Sequence, residues 1–201
     1  MGNGKPNGAH GESHALHLFI LQENRMKLAD FFNYENEMFS PLRDAARKVT
    51  AAMQNANRGL DTLKEIVLID IGLVHTSDAI HELAHKQPGY FDKIGDILHQ
   101  RHLIQEYPAT EEYTNRPEDL DAVFEEVIKF LKENDEALKE FIRACDESKN
   151  YALAREAETI QIENSEDCEK FLLAWHMFDT TDASATSFDD WVLHLFHGGD
   201  K

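Results

Sequence analysis

Hydrophobic residues recur at three- and four-residue spacings along the chain, and no stretch alternates as a half-buried strand would. The two cleanest stripes lie in the second half. Leu120, Phe124, Val127, Leu131, Leu138, Phe141, Ile142 and Cys145 share one face of a helix predicted from about Glu118 to Ser148. Leu153, Ala157, Ile160, Phe171, Trp175 and Phe178 do the same on a helix from about Tyr151 to Asp179. Each helix has about 30 residues, roughly 45 Å at 1.5 Å per residue. Joined by a very short turn, the two make an antiparallel hairpin.

The earlier part of the chain predicts four more helices. The first runs from Ser13 to Phe39 and stops before Pro41. The second, from Leu42, ends at the stop signal Asn57-Arg58-Gly59. The third covers Leu60 to Lys86, closed by Pro88-Gly89, and the fourth covers Tyr90 to Glu106. Residues 107–117, with Pro108 and Pro117, read as a loop. A short last helix, Phe188 to Phe196, follows a Thr/Ser/Asp/Ala linker, with Ser187 placed to cap it. The predicted architecture is all-α, with a four-helix bundle over residues 60–179 whose halves are joined by the 107–117 crossover. Residues 1–12 read as a flexible tail, 13–59 as an N-terminal helical extension, and 180–201 as a linker and short C-terminal helix.

The helix predicted from Leu60 is apolar on two sides. Leu60, Leu63, Val67, Ile71 and Val74 form one face, and Ile66, Ile69, Leu73, Ile80 and Ala84 another, which predicts a central, buried helix. At about 100° per residue the first face continues as Asp78, His81, Glu82 and His85. Ionisable groups then stand where a core stripe should run, and buried charges are costly unless paired or coordinated. On the next helix Asp92, Asp96 and His99 follow at i, i+4 and i+7. Carboxylate and imidazole together suit iron, manganese or zinc. Asp78, His81, Glu82, His85, Asp92 and Asp96 are therefore the candidate metal ligands.

His81-Glu82-Leu83-Ala84-His85 also fits the HExxH pattern of zinc peptidases. In that alternative His81 and His85 bind zinc, and Glu82 is the catalytic base that activates a metal-bound water. It needs a third ligand, from Asp96, His99 or Glu163, and usually a strand to align the substrate.

Composition narrows the classes. Hydrophobic residues make up 42% of 201, enough for a sizeable core. No apolar run is long enough to span a membrane. A net charge of −18, with one small basic cluster at Arg43, Arg47 and Lys48, argues against nucleic-acid binding and suits a protein that attracts cations. Cys145 and Cys168 are too few for a disulfide scaffold, so a reducing cytoplasm is expected and both read as small buried hydrophobes.

The stretch Phe91-Asp92-Lys93-Ile94-Gly95-Asp96-Ile97-Leu98 resembles the second bundle helix of Dps proteins, where an Asp and an acid four residues later bind iron together with histidines of a neighbouring subunit. Asp92 and Asp96 match that pair. Glu156 to Trp175, ending in Phe171-Leu172-Leu173-Ala174-Trp175, is similar to the last bundle helix. Together with the hairpin–crossover–hairpin order, the chain resembles the ferritin-like superfamily, and more particularly the Dps-like miniferritins. The resemblance implies a homo-oligomeric shell that binds Fe(II), oxidises it with peroxide or oxygen, and stores the product. Dps proteins that coat DNA usually do so through basic tails, and no such tail is present here. The chain departs from the family in lacking its His-Trp pair. It also lacks the two ExxH motifs of di-iron bundles. Glu82 to His85 is the only ExxH, while the stripes of the two long helices hold Asn134, Asn164 and Asp167. A third reading follows, a helical assembly protein with a vestigial metal site, in which Phe188 and Trp191 dock on their own chain or on another subunit.

Overall fold

The computed structural model describes residues 40–100, 103–110, 112–181 and 184–198, so the tail and the helix predicted over Ser13–Phe39 lie outside the described residues. The chain divides into two units, Met1–Ser40 and Pro41–Lys201, and the second holds the bundle. Its helices are α1 (Ser40–Ile66), continued by the π-helical turn Val67–Ile71, then α2 (Val74–Gln100), α3 (Leu120–Glu147), α4 (Tyr151–Thr180) and α5 (Ala185–His197). Among the described residues there is no strand. None of the helices is long and apolar enough to cross a membrane.

α3 and α4 match their predicted spans within two residues at every end. The first half of the bundle is built differently from the prediction. α1 runs straight through Asn57-Arg58-Gly59. Gly59 is a packing notch: any side chain there would strike the Phe130 ring of α3, so the missing Cβ lets the two helices approach. The chain stops instead at Gly72, whose φ of 84° is the left-handed conformation that favours glycine. Its N–H donates to the Val67 carbonyl at 2.8 Å, and the Leu73 N–H donates to the same oxygen at 3.2 Å. The single helix expected over Leu60–Lys86 is thus two helices, and the domain boundary expected at residue 60 falls inside α1.

α2 likewise passes through Pro88-Gly89, where a stop was expected. Proline lacks the N–H that would bond the carbonyl four residues back. Here that carbonyl, on Ala84, accepts instead from the Asn57 side-chain amide of α1 at 3.0 Å. The Ser77 hydroxyl donates to the Lys64 carbonyl at 2.9 Å, so α1 and α2 are held antiparallel at two levels in one register. The apolar side chains of Leu60, Leu63, Val67, Ile80 and Leu83 meet Phe124, Val127, Leu131 and Phe171 in one core.

α5 closes on its own chain. Phe188 is buried against Phe124 and Phe178, with ring centroids 6.3 Å and 5.3 Å away. Its cap is Ser184, which accepts from the Ser187 N–H, rather than Ser187 itself. The next residue in the packing, buried Asp189, accepts from the His75 and Thr76 N–H groups at 3.0 Å and 2.8 Å. A carboxylate at the start of α2 satisfies amides that the helix leaves open and complements its positive end.

Candidate metal-binding sites outside and inside the bundle

The break at Gly72 resets the helical phase. Val74 is 50% exposed and Ile69 72% exposed, so neither continues a buried face. On α2 the inward residues are Ile80, Leu83, Ala84 and Gln87. Asp78, Glu82, His85, Asp92 and Asp96 are exposed and His81 is half-buried, so the predicted ligands line the outer side of α2 and are not a continuation of the core.

Of the six, the structure brings two together. His81 and His85, one turn apart, present their Nε2 atoms to each other at 3.1 Å with the rings edge to face. With metal–nitrogen bonds of about 2.05 Å, that gap subtends about 98° at one shared ion, between the octahedral and tetrahedral angles. Asp61 of α1 lies behind the pair, its Oδ1 3.4 Å from His81 Nδ1. At that distance it places a negative charge beside the imidazole, whose Nδ1 is buried without a hydrogen-bond partner. Glu82 is turned elsewhere and pairs with His197 of α5 at 3.8 Å. Asp92 begins seven residues beyond His85, about 10 Å along the axis. Among the described residues no group of three or more His, Cys, Asp or Glu side chains is arranged to hold a metal ion. Two imidazoles alone are an incomplete ligand set for a metal ion. With no third ligand at the pair, Glu82 paired away and no strand among the described residues, the zinc-peptidase reading finds no support.

The interior at the same level of the bundle has a different chemistry. Gln87 of α2 is fully buried; its Nε2 donates to the Leu83 carbonyl at 3.2 Å, and its Oε1 accepts from Asn134 Nδ2 of α3 at 2.9 Å. Asn164 of α4 donates to the Leu131 carbonyl at 2.9 Å. The α1–α2 register brings Met53 and Gln54 of α1 to the level of Gln87; Met53 is buried, and Gln54 is half-buried on the side of α1 that carries Asp61. The side-chain oxygens of Asn134 and Asn164 are buried without a hydrogen-bond partner. Burial, reinforced by Asp167, Glu163 and Glu166, pushes the Tyr90 pKa well above the phenol range, so this hydroxyl stays protonated. Asp167, one turn after Asn164, is buried, and Lys86 Nζ donates to both of its oxygens at 2.7 and 2.8 Å.

No family model and no curated protein sequence matches this chain. Solved structures do. A ferritin from M. penetrans superposes over 77% of this chain and 94% of its own, with a TM-score of 0.66 at 11% identity. An open-pore ferritin from Archaeoglobus fulgidus superposes over 80% and 96%, with a TM-score of 0.65 at 17% identity. An engineered closed form of the A. fulgidus ferritin superposes over 78% and 94%, with a TM-score of 0.64 at 19% identity. The chain has a ferritin-like fold. At these identities the likeness extends to the fold alone.

In this ferritin-like bundle α1–α2 and α3–α4 are the two hairpins, residues 103–110 and 112–119 belong to the crossover, and α5 is the appended short helix. Di-metal bundles of this fold take carboxylates and imidazoles from their inward faces. The inward polar groups here are amides, a protonated phenol and a carboxylate already held by Lys86, a donor set that does not suit a pair of metal ions. Asn134, Asn164 and Asp167 stand out in the sequence as polar residues on core stripes. Gln87 and Tyr90 carry the same signal, but they flank Pro88-Gly89 and are hidden by the helix stop that those two residues imply.

Proposed function

We propose that this chain is a ferritin-like iron-binding protein that acts as a homo-oligomer, takes up Fe(II) as its cargo, and oxidises it with peroxide or oxygen at sites on the outer side of its bundle. The observation that carries the reading is the facing imidazole pair of His81 and His85, 3.1 Å apart and backed by Asp61, on a helix of a ferritin-like bundle. Imidazole with carboxylate is a donor set that suits iron. Asp92 and Asp96 support the narrower Dps-like reading, since both are exposed and free to meet histidines of a second copy. The charge of −18 supports it further, because an acidic surface raises the local concentration of cations. Each ferrous ion gives up one electron, so two are consumed for each peroxide reduced to water. The two free cysteines fit a reducing cytoplasm. The acidic surface gives no reason to propose a nucleic-acid partner.

Size-exclusion chromatography with light scattering, on protein whose metal content is analysed, tests the assembly. A large closed oligomer carrying iron is expected, and a metal-free monomer contradicts the reading. Stopped-flow oxidation of added Fe(II) tests the site. His81→Ala and Asp96→Ala should remain folded and oxidise Fe(II) more slowly than the wild type. Full activity in both variants removes these residues from the function.

A further inference from the structure

We infer that the interior of this bundle is a metal-free amide core standing where a ferritin-like di-metal bundle holds its two ions, so that iron meets this chain only on its outside. The inference deepens the iron-binding reading and rests on it for the identity of the cargo. Such bundles draw one inward Glu from each of two helices and a Glu-x-x-His from each of the other two. This chain reproduces the pattern position by position with other residues. α3 offers one inward polar side chain at this level, Asn134, while the buried side chain of α1 at this level is Met53. α2 offers Gln87-x-x-Tyr90 and α4 offers Asn164-x-x-Asp167. Three carboxylate positions hold amides, the fourth is apolar, and the two imidazole positions hold a phenol and an aspartate.

Charge decides what such a core can bind. Four carboxylates balance two divalent ions in the usual arrangement. The three amides carry no charge, and the one buried carboxylate among them, Asp167, is balanced by the Lys86 ammonium on both of its oxygens. The core is therefore neutral as it stands, and two divalent ions placed in it would be uncompensated buried charges. The amide geometry is also committed. Gln87 Oε1 already accepts from Asn134, and Asn164 is held by the Leu131 carbonyl. The oxygens left over on Asn134 and Asn164 are neutral acceptors, whose ordinary partners are hydrogen-bond donors such as trapped water.

Titration of the full chain with Co(II) under anaerobic conditions, read by visible absorption, tests this. The variant His81→Ala/His85→Ala/Asp92→Ala/Asp96→Ala removes the outer ligands and leaves the interior untouched. It is expected to lose at least about 100-fold in Co(II) affinity, with no spectrum of a paired site remaining. Two tightly bound Co(II) ions per chain in that variant overturn the inference, while iron binding as such still stands. A wild type that binds no Co(II) or Fe(II) at all overturns the iron-binding reading and upholds the metal-free interior. A second readout leaves the outer ligands in place. Ions bound inside the core would raise the wild-type Tm on addition of Co(II) in proportion to the logarithm of its concentration. Quenching of that rise by Asn134→Leu/Gln87→Leu, with the outer ligands intact, also overturns the inference.

Discussion

One helix presents two polar surfaces of opposite kind. The outer side of α2 carries His81, His85, Asp92 and Asp96, which are charged or ligating groups in reach of water. Its inner side, at the same level, carries Gln87 and Tyr90, which are neutral and buried. The difference follows from solvation. An exposed carboxylate or imidazole keeps its hydration until a cation displaces it, whereas a buried one needs its counter-charge built in. At buried Asp167 a lysine supplies that charge, and at buried Asp189 the His75 and Thr76 amides at the positive end of α2 do. On the proposed reading, ligand chemistry lies on the surface, and the interior has the polarity of a metal site without its charge.

The largest expected effects separate the two sides by kind of loss. His85→Ala should leave stability within about 0.5 kcal/mol, as for a surface change. It should lower Co(II) affinity by at least about 100-fold, because it removes half of the pair. Asp61→Asn, acting through His81, should cost about 10-fold. Both effects are read by equilibrium titration, and both should weaken toward acid, since an imidazole ligates only when neutral.

Inside, the loss should be in folding. Lys86→Ala leaves Asp167 buried without its cation. Removal of one partner from a fully buried pair costs about 3–5 kcal/mol. Lys86 is 44% exposed and water partly replaces it, so about 2 kcal/mol is expected in urea denaturation. Lys86→Met combined with Asp167→Leu should recover most of that loss. A destabilised single variant with unchanged Co(II) binding sharpens the contrast, and a change in metal stoichiometry breaks it.

Asn57→Leu should cost about 1–2 kcal/mol, because the Ala84 carbonyl loses its donor. The cost should shrink in a Pro88→Ala background, where a backbone N–H takes over, and a double-mutant cycle measures the difference. The two helical glycines should respond with opposite signs in thermal melts. Gly59→Ala drives a methyl into Phe130 and should destabilise by about 1–3 kcal/mol. Gly89→Ala meets nothing within 4 Å and should stabilise by about 0.8 kcal/mol through helix propensity.

These glycines also show what can be read from the chain. α3 and α4 were legible because a long apolar stripe marks each, and Asp119 caps α3 by accepting from the Ala122 N–H. α1 and α2 were not, because Gly59, Gly72 and Pro88-Gly89 look alike as punctuation, and tertiary neighbours decide among them. Phe130 makes Gly59 a notch, Asn57 makes Pro88 tolerable, and Gly72, with nothing within 4 Å, is left to be the turn. The pairing of His81 with His85 followed from their spacing. Their outward position did not, since the face that starts at Leu63 ends at the Gly72 break. The amide core was half visible: Asn134 and Asn164 interrupt clear stripes, but Gln87 sits against the helix stop that Pro88-Gly89 implies.

The most direct test is anomalous diffraction at the cobalt or iron edge, on crystals of the wild-type chain grown with that metal. An anomalous peak between the Nε2 atoms of His81 and His85, and none among Gln87, Asn134 and Asn164, is the predicted result. A pair of peaks inside the bundle, bridged by those amides or by Asp167, would contradict it.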